Sequence, residues 1–394
     1  MRNTQIDEHT PGSILHDFAA FLACIGEAGI PLTATHLLPL KVLSPLNQRL
    51  TAPLNLALQR PSLKSYPPLE GLFLLARASG LTDVDVTGKT PHLLLDTEVH
   101  ASWQALNATE QYFTLLETWV LRGRPDILGE NGNLFDFAGP LHAWQQFFAQ
   151  VPEQGRTVMR GTEEERSLRY FPGLRNLALL QLFGLALVHQ APPMAGQGWQ
   201  IAAIERTPLG DAVLQLLVQH LAHLLDETTL LPPPGLLALG ELQPTFQPYF
   251  PAWQQNLVIP GVGFQDGVYV FQVALDKQIW RSIAIPATLT LDDLCGAILD
   301  AYEFDRVHLY EFIYRSRFGL DERIQNPDYA EGLNTSDVRV GDLPLPVGAS
   351  MTFHYDFLDD WLFTVLLERI DPPDAVATQP ILLEKQGAAP EQYA

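Results

Sequence analysis

At 394 residues the chain exceeds what one hydrophobic core serves, so two or three domains are expected. Its 47% hydrophobic and 18% charged residues describe a globular protein and exclude a disordered one. A formal net charge of −21 repels phosphate backbones. Residues 261–374 hold 20 acidic against 8 basic side chains, so nucleic acid is not expected as a partner of that region.

The N-terminal stretch Met1–Glu8 lacks the basic-then-apolar layout of a secretion signal. The longest apolar stretch, Leu177–Val188, falls short of the roughly 20 residues a membrane span needs. Cys24 and Cys295 lie far apart among apolar neighbours, the pattern of reduced core thiols. A soluble cytoplasmic protein with no membrane partner is expected.

In chain order, apolar residues at helical spacing predict helices over Phe18–Ala28, Leu69–Ala78 and Thr109–Leu121. A turn and a short strand, Val86–Asp96, separate the last two, and helices followed by a hairpin have the look of a winged helix. The arrangement recurs: helix Leu174–His189, turn Gly196-Gln197-Gly198, strand Trp199–Ile204, and helix Asp211–Leu225 opened by Thr207-Pro208. Residues 1–125 and 126–230 are therefore read as two helical, winged-helix-like units. His220, His223 and Glu227 share one face of the last helix and carry zinc-ligand chemistry, but an amphipathic solvated face accounts for them better. Seven prolines between Pro232 and Pro260 mark 231–262 as a linker. Its Phe246, Tyr249, Phe250 and Trp253 are too apolar to stand in water, so the linker should pack on a domain.

From 263 to 394 the pattern changes to α+β. Tyr269, Phe271, Val273 and Leu275 alternate as a half-buried strand, and Asp276-Lys277-Gln278 turns it into a second, Ile279–Ile285. Thr290 and Asp293 form a capping box ahead of a helix with Leu291, Leu294, Cys295, Ile298 and Tyr302 inside. Strands are expected at Leu309–Tyr314, Met351–Phe357 and Trp361–Leu367, with a polar insertion over Arg315–Val338. One helix on a mostly antiparallel sheet makes a β-grasp-like order.

Three signatures in this region set aromatics beside ionisable groups: Trp280-Arg281, the segment Phe304–Phe312 with Asp305 and His308, and Tyr355-Asp356-Phe357-Leu358-Asp359-Asp360-Trp361. Their order, with the tail Pro390-Glu391-Gln392-Tyr393, resembles the plasmid pRiA4b ORF-three-like family over roughly 262–394. Leu358 stands where that family usually has Gly, and Phe363 where many members have His. The resemblance implies a fold, a site and an association with mobile elements, but the family has no established activity.

Candidate cleft residues are Trp280, Arg281, His308, Tyr310, Glu311, Tyr355, Asp356, Asp359, Asp360 and Trp361. Period-two alternation sends Phe353, Tyr355 and Phe357 to one face and Thr352, His354 and Asp356 to the other. Asp356, Asp359 and Asp360 offer oxygen ligands for a divalent cation, or carboxyls that raise one another's pKa. Asp in a hairpin turn equally hydrogen-bonds its own backbone, and that reading is preferred. His308 suits acid–base work with those acids, or a structural bond at its junction. Arg281 suits an anionic ligand or, better in so acidic a domain, an internal ion pair.

No P-loop, dinucleotide fingerprint, HExxH, paired CxxC or GxSxG motif occurs. The leading expectation is a binding protein that takes a protein or small ligand in an acidic-aromatic cleft. The alternatives are a metal-dependent enzyme on the Asp356–Asp360 cluster with His308, and a DNA-binding regulator acting through the winged-helix-like units.

Overall fold

Several helices of this chain start where side chains take up the first free backbone amides. Asn107 with Glu110, and Thr290 with Asp293, form reciprocal capping boxes, while Asp96 accepts from the Glu98 and Val99 amides at 3.0 Å. The computed structural model describes residues 5–85, 88–130, 139–152, 155–158, 162–220, 239–260, 263–317, 321–329, 334–373 and 378–393. It divides into two units, one of Met1–Glu227 with Leu239–Ile259 and one built on Pro260–Ala394.

The first unit uses one order of elements twice. Helix α1 (Ile14–Ile25), strand β1 (Ile30–Pro31), helices α2 (Leu40–Asn47) and α3 (Pro67–Ala78), and hairpin β2 (Thr82–Asp85) and β3 (His92–Leu95) make a three-stranded sheet ordered β1-β3-β2. Helices α4 (Thr97–Ala105) and α5 (Ala108–Glu117) follow, and α5 runs on into a π-turn over Thr118–Arg122. The order then returns as α6 (Gly139–Gln150), β4 (Arg156–Thr157), α7 (Glu163–Ser167), α8 (Leu174–Leu182), β5 (Ala186–Gln190) and β6 (Ile201–Arg206), with the sheet ordered β4-β6-β5. Helix α9 (Pro208–His220) is capped by Thr207, whose hydroxyl accepts the Gly210 amide at 3.0 Å.

The third helices of the two repeats pack on each other. All twelve residues of α3 are buried, and a Cβ on its Gly71 would lie 2.8 Å from a Leu179 methyl of α8. Helix-versus-strand is where the expectation for Leu174–His189 fails. Gly184 turns in the left-handed region at φ 69°, so α8 stops at Leu182 and the rest of the apolar run becomes β5.

Of the proline-rich stretch, 239–259 is built into this first unit. The short helix α10 (Gln243–Phe246) and its flanks bring Trp253 face to face with Phe113 at 4.6 Å, with Phe246 and Phe250 around the same ring. Glu117, fully buried, accepts the Gly240 and Leu242 amides at 2.8 and 3.1 Å, and burial pushes its carboxyl up to about 7. His220 Nδ1 lies 2.6 Å from Thr245 Oγ1, whereas His223 and Glu227 fall outside the described residues.

The second unit contains β7 (Val268–Ala274), β8 (Trp280–Pro286), α11 (Leu291–Tyr302), β9 (Tyr310–Arg315), β10 (Asp321–Gln325), β11 (Ser350–Tyr355), β12 (Trp361–Asp371) and β13 (Ile381–Gln386). They form one sheet ordered β10-β9-β11-β12-β7-β8-β13, antiparallel at every pairing. Helix α11 lays Leu294, Ile298 and Tyr302 on Phe271, Ile283, Phe312, Phe353 and Phe363. Two strands go beyond the expected set: β10 lies inside the stretch read as a polar insertion, and β13 is an exposed edge strand on β8. No helix among the described residues is long and apolar enough to cross a membrane.

Candidate functional site

Where α11 ends, the chain crosses one end of the sheet. Glu303 takes the left-handed conformation and stops the helix. Phe304 then sinks into the core, edge-on to Trp361 at 4.9 Å, so that Asp305 to Leu309 run over the sheet end. Strand β11 reaches the same place from below. Its last residue, Tyr355, is buried and donates to the Asp305 carbonyl at 2.7 Å and to Asp305 Oδ1 at 3.0 Å.

Asp356 breaks the alternation expected of this strand. Its φ of 53° ends β11, so Asp356 turns inward, 3% exposed, and Phe357 turns out instead of following Tyr355 into the core. The Asp356 amide donates to the Leu309 carbonyl at 3.0 Å, and its Oδ1 accepts the Leu358 amide at 3.1 Å, the self-capping role of a turn aspartate. The turn also brings Asp356 Oδ2 to 3.3 Å from His308 Nδ1.

The C-terminal tail closes this group. Tyr393 Oη lies 2.7 Å from His308 Nε2 and donates to Asp305 Oδ2 in a short hydrogen bond. Gln392 brackets the same residue: its Oε1 accepts the Asp305 amide at 2.7 Å and its Nε2 donates to Asp305 Oδ1 at 3.1 Å. Asp356, His308, Tyr393 and Asp305 thus form one continuous polar chain. With the Tyr393 hydroxyl first among its donors, Asp305 is held down to about 2. The same bond raises Tyr393 to about 12, because an ionised phenol would face that carboxylate.

The other candidates go elsewhere. On the sheet face opposite the core, His354 pairs across strands with Glu311. Its Nδ1 is 3.4 Å from Glu311 Oε1, and its Nε2 is 2.8 Å from Asp360 Oδ1 but off the line of a hydrogen bond. Arg323 of β10 completes this group with a short ion pair to Glu311. Asp359 is exposed. Arg281 departs from the expected ion pair. Its guanidinium is buried over the Tyr302 ring at 4.5 Å and donates to the carbonyls of Ala301, Trp280 and Gln386 at 2.8–2.9 Å, so it pins the helix end and the tail strand. Trp280 donates its indole N–H to Gln386 Oε1 at 3.0 Å in the same lock.

Beside His308 a cavity of about 290 Å³ opens between α11 and the stretches 306–310 and 326–328. Its wall includes Asp292, Cys295, Arg306, Tyr310 and Asp328. Tyr310 donates a short bond to Asp292 and lies 2.8 Å from Thr335 Oγ1. Burial pushes the Cys295 thiol up, so it stays a thiol rather than a nucleophilic thiolate. Asn326, also in the wall, keeps a buried Oδ1 with no hydrogen-bond partner. Sequence reasoning missed Asn326, His354 and Arg323 as contributors. His354 was detectable, since it shares a strand face across from Glu311, whereas Asn326 carries no local signal.

A family model described as Plasmid pRiA4b ORF-3-like protein matches residues 268–393, the C-terminal region in which the resemblance was seen. Among solved structures, the crystal structure of a protein of unknown function, MM3350 from Methanosarcina mazei Go1, is similar at 26% identity. That similarity covers 32% of this chain and 74% of the other, with a TM-score of 0.29. No curated protein matches.

Proposed function

We propose that the chain is a binding protein whose second unit takes a small ligand, or a protein side chain, rich in hydrogen-bond donors. The observation that carries this reading is the cavity beside His308. The Phe304–Phe312 signature segment forms one wall, Asp292 and Asp328 line it as well, and the adjoining Asn326 Oδ1 is an unmatched buried acceptor. A buried acceptor without a partner costs roughly 1–3 kcal/mol, and a ligand N–H or O–H would recover it once the Asn326 side chain turns its Oδ1 toward the cavity. The test is a titration of the isotope-labelled protein with primary amines and polyols, read by amide chemical shifts. Shifts confined to Asn326, His308 and Tyr310, lost in Asn326→Ala, are expected. Ligands that leave these amides unmoved would sink the reading.

One observation favours catalysis as a second reading. His308 sits between a carboxylate and a hydroxyl, the order that lets an imidazole pass a proton. The metal form of that reading has less support, because Asp356 goes to His308 and Asp360 to His354. Among the described residues, no three ligand atoms of this turn and His308 lie within 4.8 Å of one another. In this reading the first unit is a winged-helix-like pair and the second is β-grasp-like, as the element order suggests. DNA recognition through a third helix has little support, since α3 is wholly buried. An association with mobile elements rests on the family resemblance alone.

A further inference from the structure

The segment ahead of α1 carries a cluster that the second unit's site does not involve. Glu8, His9 and His16 place one ligand atom each within 4.8 Å of the other two. His16 Nδ1 is 2.9 Å from Glu8 Oε1, and the two imidazole rings stand 5.1 Å apart between centroids, tilted by 41°. The His16 hydrogen bond is the main reason the Glu8 carboxyl lies below its ordinary range.

The backbone under these side chains is fixed from both directions. A Cβ on Gly12 would fall 2.2 Å from the Leu182 carbonyl oxygen and 2.4 Å from the Gly184 nitrogen, so the segment lies directly on the turn that ends α8. Ile6 is buried, and the Asp7 carboxylate accepts the His9 amide at 2.9 Å. On the helix side, Asp17 is buried and accepts from Ser13 Oγ at 2.8 Å and from the Thr51 amide and hydroxyl at 2.7 and 2.8 Å. His16 therefore stands on an anchored first turn, and Glu8 and His9 on an anchored loop. Held backbones are what turn nearby ligand side chains into a metal site.

We propose that Glu8, His9 and His16 bind a borderline divalent transition metal of the zinc class, with a fourth position left to water. Two neutral imidazoles and one carboxylate are the donors such ions select, whereas magnesium and calcium prefer all-oxygen sets. Bonds of about 2.0–2.1 Å put tetrahedral ligands roughly 3.3 Å apart. The Glu8–His16 pair is already closer than that, and rotation of the exposed Glu8 and His9 side chains brings in the third atom. The ion ties the leading loop to α1.

The test is calorimetric titration of the full-length, untagged, chelator-treated protein with zinc chloride at pH 7.5, with cobalt(II) absorption as the coordination readout. One saturable equivalent with a micromolar dissociation constant is expected. His9→Ala and His16→Ala should each weaken it at least tenfold, and Glu8→Gln severalfold. His189→Ala, which removes an exposed histidine elsewhere, should leave it unchanged. Thermal melting of each variant without metal confirms that it folds, and Glu8→Gln, close in size to the parent, keeps the test valid if an alanine variant does not. Unsaturable binding, or parent-like affinity in both His16→Ala and Glu8→Gln, would overturn the site.

Discussion

Glu117 in the first unit and Asp305 in the second are both carboxylates that accept several hydrogen bonds, yet their protonation moves in opposite directions. Glu117 receives two backbone amides but is fully buried, where the cost of holding a charge away from water wins and raises it to about 7. Asp305 lies at an open end of the sheet, where water remains and the donors of Tyr393 and Gln392 win, lowering it to about 2. The contrast separates architecture from candidate function. In the first unit the perturbed acid fastens residues 239–259 to a helix. In the second it organises a polar chain that meets the cavity wall at His308.

The largest test of this contrast lies in the first unit. Trp253→Ala removes a fully buried ring stacked on Phe113 and should cost about 3–5 kcal/mol in chemical denaturation. A cost under about 1 kcal/mol would mean that 239–259 merely rests on the unit. Next in size is Glu117→Ala, which leaves the Gly240 and Leu242 amides unmatched in the interior and should cost about 2–4 kcal/mol. Its pH signature has a definite sign. The folded carboxyl titrates above its unfolded value, so its contribution is complete below about pH 4.5 and is lost as pH rises through about 7. Glu117→Gln should flatten that slope, and an unchanged slope would show that another group sets it.

Much of the scaffold could be read locally. The alternation of Tyr269, Phe271 and Val273 and the Thr290–Asp293 box are short-range patterns, and both form as the residues imply. What escaped depends on backbone conformation or distant pairing. The break at Gly184 turned half of an apolar run from helix to strand. Asp356 left its strand face because of its left-handed φ, which Asp tolerates but does not announce. The bonds of Gln392 and Tyr393 to Asp305 span 87 and 88 residues, so nothing local could reveal them, although the tail motif was visible. Arg281 found carbonyls instead of an acid because its strand lies beside the end of α11.

A smaller effect is expected in the second unit. Tyr393→Phe removes the hydroxyl that joins His308 to Asp305 while keeping the ring. The Asp305 carboxyl should then rise from about 2 toward the ordinary range, as followed by carboxyl carbon shifts on acid titration. In the parent protein this group favours the folded state above its unfolded value near pH 4, and that contribution is lost as pH falls toward 2. Tyr393→Phe should narrow that window. An Asp305 that titrates unchanged would mean that Gln392, Tyr355 and the Val307 amide, 3.3 Å from its Oδ1, hold it without the Tyr393 phenol.

The smallest expected effect concerns the acidic turn. Asp356, Asp359 and Asp360 have the composition of a magnesium or calcium site, but the left-handed residues at 356 and 360 send their carboxylates to different histidines. Leu358, where the resembled family has Gly, is not in the left-handed region and strains nothing. Magnesium, manganese and calcium should therefore raise the melting temperature no more than sodium chloride at matched ionic strength, and Asp359→Asn should make no difference. Exposed acids bind such ions weakly unless several converge, and binding to the native state alone would appear as concentration-dependent stabilisation. Saturable stabilisation by magnesium, abolished in Asp359→Asn, would show that the turn rearranges around an ion. It would also move the second unit from binding toward metal-dependent chemistry.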